Sequence, residues 1–212
     1  MATGSDLEDL YQTPVTLDGT HVTLLPLTLE HGDALFRALN GDEELWRYLP
    51  VKQPETLADM RAWVATALEE HTEGRRLPFA VVEQSNGQVI GSTSYVNMSY
   101  PNRNLDVGWT WYAREHWRTA VNTACKFLLL RYAFEMLECI RVQLRVDLRN
   151  LRSQRAVERI GGIKEGVLRK AQILHDDHQR SVVLYSLLDD EWPGNKARLE
   201  AMLARDASER GG

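Results

Sequence analysis

The 212-residue chain has only two cysteines and no long apolar run. Cys125 and Cys139 are 14 residues apart, which is neither a disulfide framework nor a metal-ligand spacing, so we expect buried or half-buried free thiols in a reducing cytoplasm. The longest apolar stretches, Phe127–Leu130 and Val182–Tyr185, are far shorter than the roughly 18 residues of a membrane span. Residues 1–13 are acidic and lack the basic and apolar regions of a secretory signal. A secreted or membrane-spanning protein is therefore not expected.

The sequence also has no internal repeat, low-complexity tract or Pro/Gly/Ser-rich linker, which favours one large domain. It contains no P-loop, no metal-ligand cluster and no Ser/His/Asp order of a nucleophilic hydrolase. A net charge of −5 argues against general affinity for nucleic acids or anionic membranes. Residues 1–60 have 11 acidic and three basic residues, whereas residues 140–170 have nine basic and three acidic ones. This asymmetry indicates separate places for a polyanion and a cation, or else two solvated faces.

Hydrophobic periodicity predicts strands and helices along the whole chain. A hairpin around Gly19-Thr20 precedes two short helices and a longer one, which Pro54 opens and Gly74 ends. A three-stranded meander, with Asn86-Gly87 in one turn, leads into a helix over Ala120–Leu137. The remaining elements are a strand, a short helix, two strands and a terminal helix, at residues 140–148, 150–160, 166–174, 181–187 and after 193. A meander that feeds a βαβ unit predicts a mixed α+β domain with one central sheet.

A strand–turn–helix segment within Asp106–Ala133 is the strongest candidate for chemistry. Its strand ends in Trp109-Thr110-Trp111, its turn contains Arg114 and Arg118, and a helix follows. A helix N-terminus offers unpaired N–H groups and a partial positive charge, so it binds phosphate groups readily. The next strand and helix repeat this arrangement over residues 147–153. Two such junctions beside adjacent strands predict a nucleotide pocket.

An ordered set of residues resembles the Gcn5-related N-acetyltransferases, the GNAT family. The set is Asp106-Val-Gly-Trp-Thr-Trp, Asn122, Arg141-Val, Asp147-x-x-Asn150-x-x-Ser153, Ala156, Gly161-Gly, Glu165-Gly166 and Leu168-Arg169. It looks most like the RimJ/RimL branch, whose members acetylate protein N-terminal amines. The resemblance implies an α+β fold with a single mixed, mostly antiparallel central sheet of about seven strands flanked by helices. It assigns residues 14–192 to the acetyltransferase domain, 1–13 to a flexible N-terminus, and 193–212 to a C-terminal helix and tail.

The resemblance implies acetyl-CoA as co-substrate, without a metal, and acetyl transfer by direct attack of a primary amine. In this family the pantetheine arm lies between two diverging strands like an extra strand, so Trp109, Thr110 and Trp111 are expected to bond it through backbone groups. The predicted cradle for the CoA phosphates is formed by Arg114, His116, Trp117, Arg118, Thr119, Ala120, Val121 and Asn122, with Asn150 and Arg155 from the second junction.

The sequence departs from the family pattern at three positions. The phosphate cradle of the family has a glycine where Arg118 stands, and glycine permits close backbone approach. Arg118 therefore either contacts a phosphate itself or obstructs the cradle. Val157 occupies the position of a tyrosine acid, which leaves Ser153, the residue used in the RimL branch, to serve the leaving thiolate. Gln172 occupies the position given to a carboxylate base, and an amide cannot take a proton.

Asp106 is the first candidate for the catalytic base, because an acidic residue beside the acceptor amine accepts its proton directly or through water. A strand-edge carboxylate bonded to the meander is an equal alternative. Asp147 is an alternative base, but its place just before a helix favours a capping role. Capping also explains Asn150, which belongs to the predicted catalytic group as well. His116 fits a turn residue better than a base.

Trp46 and Tyr48 follow the acidic residues 42–44 and are predicted to line the acceptor cleft, although such aromatic residues are core at least as often. An acidic, aromatic rim attracts cations, so a peptide N-terminus, a basic peptide or a polyamine is one expected acceptor. An antibiotic is another small-molecule acceptor. A non-catalytic CoA-binding or ligand-sensing module is the alternative from a different class, since fold does not fix function. The sequence leaves a homodimer open.

Overall fold

The computed structural model describes the backbone of residues 8–210 and the side chains of residues 8–206. Its strands are β1 (Leu17–Asp18), β2 (Val22–Pro26), β3 (Arg76–Glu83), β4 (Val89–Ser99), β5 (Asn104–Tyr112), β6 (Arg141–Asp147), β7 (Ile163–Ile173) and β8 (Gln179–Leu188). Its principal helices are α1 (Gly32–Leu39), α2 (Glu43–Trp46), α3 (Leu57–Thr72), α4 (Ala120–Glu135), α5 (Leu151–Arg159) and α6 (Trp192–Arg210). The outer parts of the two predicted tails, residues 1–7 and 211–212, lie outside the described residues.

The strands form one eight-stranded sheet in the order β1-β2-β3-β4-β5-β6-β8-β7. Every neighbouring pair is antiparallel except β5 and β6, which are parallel. The predicted α+β class and the mixed, mostly antiparallel sheet are confirmed. The sheet has one strand more than expected, because both arms of the first hairpin, β1 and β2, pair within it.

The parallel pairing of β5 with β6 is short. It covers Asn104–Asp106 on one strand and Arg141–Gln143 on the other. Beyond these residues β5 remains paired with β4, and β6 remains paired with β8. The two strands therefore diverge, and the backbone N–H and C=O groups on their facing edges border an open cleft. This is the divergence that the family resemblance implied.

Two hydrophobic cores lie on opposite faces of the sheet, because successive side chains of a strand point to opposite sides. Phe79 and Val81 of β3 belong to the core covered by α4, α5 and α6, whereas Ala80 between them belongs to the core covered by α1, α2 and α3. β6 alternates in the same way: its apolar residues, Val142, Leu144 and Val146, face the first core. Its polar residues, Gln143, Arg145 and Asp147, therefore point to the side of α1, α2 and α3.

The first described residues pack on the domain. Tyr11 is 3% exposed, and its hydroxyl donates a hydrogen bond to the carbonyl oxygen of Leu137 at 3.2 Å. The packed part of the chain thus begins before residue 14, which was the predicted boundary. Both cysteines are buried, and the Cys139 Sγ lies 3.2 Å from the Tyr11 hydroxyl. Along residues 8–210, no helix combines the length and the apolar character that crossing a membrane requires.

Candidate active site

A β-bulge in β5 shapes one edge of the cleft. The pairing with β4 shifts so that Trp109 and Thr110 together oppose the single residue Thr93. The bulge is accommodated at Trp109, whose backbone has the left-handed conformation with a φ of 52°. The buried guanidinium of Arg76 lies 4.5 Å from the centroid of the Trp109 ring and is fixed by a 2.9 Å hydrogen bond from its Nε to Ser94 Oγ. A cation–π contact between Arg76 and Trp109 thus stabilises the bulge.

A cavity of about 380 Å³ occupies the cleft between β5 and β6, and side chains from both faces of the sheet line it. The face of α4 and α5 contributes Asn122, Lys126, Leu144, Val146, Asn150, Ser153, Ala156 and Val157. The opposite face contributes Tyr48, Asp106, Arg145, Asp147, Gln172 and Arg180. Groups on the two sides of the sheet therefore converge on one space.

Asp106 lies at the apex of the cleft, where the pairing of β5 with β6 ends. Its Oδ2 accepts hydrogen bonds from the side-chain amides of Asn97 at 2.8 Å and Gln143 at 3.3 Å. Burial raises the pKa of the Asp106 carboxyl above its ordinary value, against the opposing effect of these hydrogen bonds and of the nearby Arg145 charge. A buried carboxylate with a raised pKa in a cavity is a candidate base.

The turn before α4 is stabilised by an ion-pair cluster that the sequence did not reveal. Arg114 donates to both carboxylate oxygens of Asp42 and, at 2.9 Å, to Glu44 Oε2. Asp42 also caps α2, because its Oδ1 accepts the Glu44 N–H at 3.0 Å. Two carboxylates of the predicted acidic rim therefore bind one arginine, which offsets one of their two charges. Arg114 faces these carboxylates and does not line the cavity.

Two other arginines stand where α4 begins. Arg118 lines the cavity and has a φ of 63°, the left-handed conformation that favours glycine. Among the described side chains it has neither an ion pair nor a hydrogen bond. The guanidinium of Arg152 lies 3.2 Å from the centroid of the Trp117 ring, which places a second cation at the same end of the cavity. Thr119 caps α4 by accepting the Val121 N–H at 3.3 Å.

The start of α5 forms the second junction. The Asn150 side chain caps this helix, since its Oδ1 accepts the Ser153 N–H at 3.0 Å. Ser153 is half-buried and lines the cavity. Capping by Asn150 thus fixes the first turn of the helix, which positions the Ser153 hydroxyl.

Asp147, the second candidate base, is fully engaged. Arg149 donates to its Oδ1 and Oδ2 at 3.0 Å each, and the Arg180 Nε donates to its Oδ2 at 3.2 Å. Although burial opposes it, this pairing holds the pKa of the Asp147 carboxyl below its ordinary value. A carboxylate with two arginine partners is a poor proton acceptor, so Asp147 serves as an anchor for the arginines.

Lys126 is a charged residue within the apolar part of α4. It is 6% exposed, and its Nζ donates to Thr110 Oγ1 at 2.9 Å. That hydroxyl lies 2.8 Å from Thr93 Oγ1, so the lysine is connected to the bulge. Burial lowers the pKa of Lys126 to about 8, and no carboxylate among the described side chains forms an ion pair with it.

The predicted site residues divide into two groups. The cavity is lined by Asp106, Trp109, Thr110, Trp111, His116, Trp117, Arg118, Asn122, Asn150 and Ser153. It is not lined by Arg114, Thr119, Ala120, Val121 and Arg155. Those at 119–121 belong to the capped first turn of α4, and Arg155 is exposed on α5.

The two aromatic residues predicted for the acceptor cleft separate in the same way. Tyr48 lines the cavity. Trp46 is 2% exposed, and its ring centroid lies 5.5 Å from those of Trp63 and Trp111, so it belongs to the second core. Trp46 is the last residue of α2, and its side chain packs against Trp111 of β5 instead of facing the cavity.

Sequence reasoning missed several polar residues of the cavity, namely Asn97, Lys126, Arg145 and Arg180. Two of them had a detectable signal. Lys126 is a lone charge within an apolar helical stripe, and Arg145 alternates with apolar neighbours along a strand that has one polar face.

The family model described as "Acetyltransferase (GNAT) domain" matches residues 21–163, which is more than half of the chain. This chain belongs to the GNAT acetyltransferases. A GNAT relative described as "Putative ribosomal N-acetyltransferase YdaF", from Bacillus subtilis (strain 168), is 36% identical over 111 residues. The aligned part is 52% of this chain and 60% of YdaF, so the chain matches less than two thirds of that relative.

Solved GNAT structures share the fold. A "putative acetyltransferase" from T. thermophilus is 41% identical, with a TM-score of 0.82 over 90% of this chain and 98% of that one. RimJ from Mycobacterium smegmatis, in complex with CoA-disulfide, is 21% identical, with a TM-score of 0.79 over 90% and 96% of the two chains. The predicted superfamily is confirmed by the family model, and RimJ shares the fold.

Proposed function

We propose that this GNAT protein transfers the acetyl group of acetyl-CoA to a primary amine, with Asp106 as base and Ser153 as acid. The observation behind this assignment is that a carboxylate and a hydroxyl line one cavity from opposite faces of the sheet. Direct transfer requires the amine and the thioester to meet in one space, and the cleft between β5 and β6 provides it.

The residues present fit acetyl-CoA, which when bound supplies an activated acetyl thioester. The facing edge of β5 beyond Asp106 offers backbone groups to an extended arm that contains amides. The N-terminus of α4, with Arg118 and Arg152 beside it, favours phosphate groups. Arg118 retains the left-handed backbone that glycine would adopt, so the turn keeps its course without the glycine.

The protein's own groups then divide the work of the reaction. Asp106 takes the proton of the acceptor amine, directly or through water, and Asn97 and Gln143 hold its carboxylate in place. Backbone N–H groups on the facing edge of β5 polarise the carbonyl that is attacked. Ser153 donates its proton to the leaving sulfur, and the cap from Asn150 keeps that hydroxyl in position.

The acceptor is proposed to be a protein N-terminus or a small amine. The name of the relative YdaF, "Putative ribosomal N-acetyltransferase", supports the first class. The net charge of −5 supports a partner other than nucleic acid, and two buried free thiols support the cytoplasm as the compartment. A homodimer and independence from metal remain predictions.

The test is thiol release from acetyl-CoA with a panel of amines that includes N-terminal peptides, a polyamine and an aminoglycoside, with mass spectrometry of the acceptor. Release that depends on one of the amines, together with an acetylated product, supports the proposal. CoA binding without transfer to any amine would instead favour the non-catalytic module. No binding of CoA would contradict both functions.

A further inference from the structure

The face of the cavity that contains Asp106, the proposed base for the acceptor amine, also contains a cation that has no partner among the described side chains. Arg145 of β6 points to the same face as Gln143 and Asp147, and it lines the cavity between the apex and the β7–β8 hairpin. Its charge acts on Asp106 on one side and on Arg180 on the other. Within the described side chains, no carboxylate or hydrogen-bond acceptor pairs with Arg145.

The neighbouring cations are already satisfied, which singles out Arg145. Arg180 is 9% exposed, its Nε donates to Asp147 Oδ2 at 3.2 Å, and its Nη1 donates to Gln172 Oε1 at 2.7 Å. Arg149 takes the remaining sites of Asp147 in a bidentate pair. These contacts fix a positively charged wall and leave the exposed guanidinium of Arg145, on this side of the cavity, to meet an incoming group.

None of the acidic residues 42–44 lines the cavity. Asp42 and Glu44 are bound to Arg114, as described above. The acceptor face thus presents a carboxylate, Asp106, beside a free guanidinium, Arg145. This pair of charges is complementary to a molecule that has an amine and an anionic group close together, because the amine then meets the carboxylate and the anion meets the guanidinium.

We infer that the acceptor is a primary amine with a carboxylate near it, and that Arg145 binds this carboxylate while Asp106 receives the amine. This inference rests on the proposed function and names its substrate class. Two sources share the chemistry: a free amino acid, through its α-carboxylate, and a peptide N-terminus with an acidic residue at its second position. Arg145 is then a specificity-determining residue that contributes to acceptor binding.

The experiment measures kcat and KM for two matched pairs of acceptors with saturating acetyl-CoA. One pair is serine and serinamide, and the other is a short peptide that begins Ser-Asp and its Ser-Asn counterpart. The enzymes are the wild type, Arg145→Gln, Arg145→Lys, and Arg159→Gln as a matched control on an exposed arginine outside the cavity. Thermal unfolding of each variant verifies the fold.

We expect the wild type to prefer the carboxylate member of at least one pair, and that pair identifies the source. In Arg145→Gln, KM for that member should rise about tenfold to a hundredfold, the range for a hydrogen bond to a charged group, and the ratio of kcat/KM between the two members of that pair should fall by the same factor. Arg145→Lys should keep part of the wild-type preference for the carboxylate member, and Arg159→Gln should keep all of it. Equal kcat/KM within both pairs, or a preference that survives in Arg145→Gln, would overturn the inference while acetyl transfer itself stands. No transfer to any amine, here or in the wider panel, would overturn the proposed function and the inference together.

Discussion

The side-chain amide of Gln143 donates a hydrogen bond to the Asp106 carboxylate across the last paired residues of two strands that then separate. One oxygen of the proposed base is therefore held by the scaffold at the point where the cleft opens. Burial at this point raises the pKa of Asp106, so the carboxylate holds a proton more strongly than a surface aspartate does.

Replacing Asp106 by asparagine should lower kcat by about 10²–10⁴-fold, the usual contribution of a general base, because an amide cannot accept the amine proton. Wild-type kcat/KM should rise with pH as Asp106 loses its proton, through a pKa above the ordinary value of an aspartate, and this ionisation should be missing in Asp106→Asn. Steady-state kinetics across pH, with CoA affinity measured by calorimetry, make the check. An unchanged kcat in a folded variant would assign the base elsewhere.

Arg118 offers a test that separates backbone strain from phosphate contact. A left-handed backbone costs a residue that has a side chain roughly 1–2 kcal/mol, and Arg118 has this backbone. Glycine avoids that cost but loses more conformational entropy on folding. The free energy of unfolding should therefore be about 1 kcal/mol higher for Arg118→Gly than for Arg118→Ala. If the guanidinium contacts a CoA phosphate, both variants should bind CoA about 1.5–3 kcal/mol more weakly. Urea unfolding and calorimetry measure the two effects. Tighter CoA binding by Arg118→Gly would mean that the arginine obstructs the cradle.

Ser153→Ala should reduce kcat by roughly 10²-fold and leave CoA affinity nearly unchanged, because only the departing thiolate needs the hydroxyl. The helix itself should persist, since the cap is made by the Ser153 backbone N–H and the Asn150 side chain. Pre-steady-state and steady-state thiol release would report the change. An unaltered kcat would remove Ser153 from the mechanism.

Lys126→Met should stabilise the fold in a manner that depends on pH. The pKa of Lys126 is lowered to about 8 in the folded state against 10.5 for a free lysine, so the unfolded chain binds more protons between these values and wild-type stability rises with pH there. The stability difference between Lys126→Met and the wild type should therefore shrink by about 2 kcal/mol from pH 8 to pH 10. Urea unfolding at several pH values measures the free energy of unfolding of both proteins. The contributions of all other titrating groups cancel in the difference between them. A constant difference would show that the lysine has an ordinary pKa.

The order of elements could be predicted because local patterns determine it. The predicted helix over Ala120–Leu137 is observed as Ala120–Glu135, and the predicted opening at Pro54-Glu55-Thr56 is observed as a capping box between Thr56 and Asp59. Both depend on residues within one or two turns of each other. Local signals of this kind survive the packing of the whole domain.

The parts of the site that could not be predicted depend on distant partners. Arg114 binds Asp42 across 72 positions of the chain, and nothing in either segment indicates the other. The bulge at Trp109 follows from the registration of two strands, which periodicity leaves undetermined. The sequence leaves Trp46 open between the cleft and the core, because it gives the distance of this residue from acidic neighbours but not its side of the sheet.

The brevity of the pairing between β5 and β6 has a mechanical consequence. Five strands on one side and three on the other share a ladder of only three residue pairs, so the sheet contains a seam that ends at Asp106 and Gln143. An amide-containing arm placed in the cleft would extend hydrogen bonding across that seam and join the two parts into one continuous network. Binding of acetyl-CoA would then stiffen the enzyme as a whole. The backbone N–H groups of Trp109–Trp111 would be protected from hydrogen exchange only while the arm is bound.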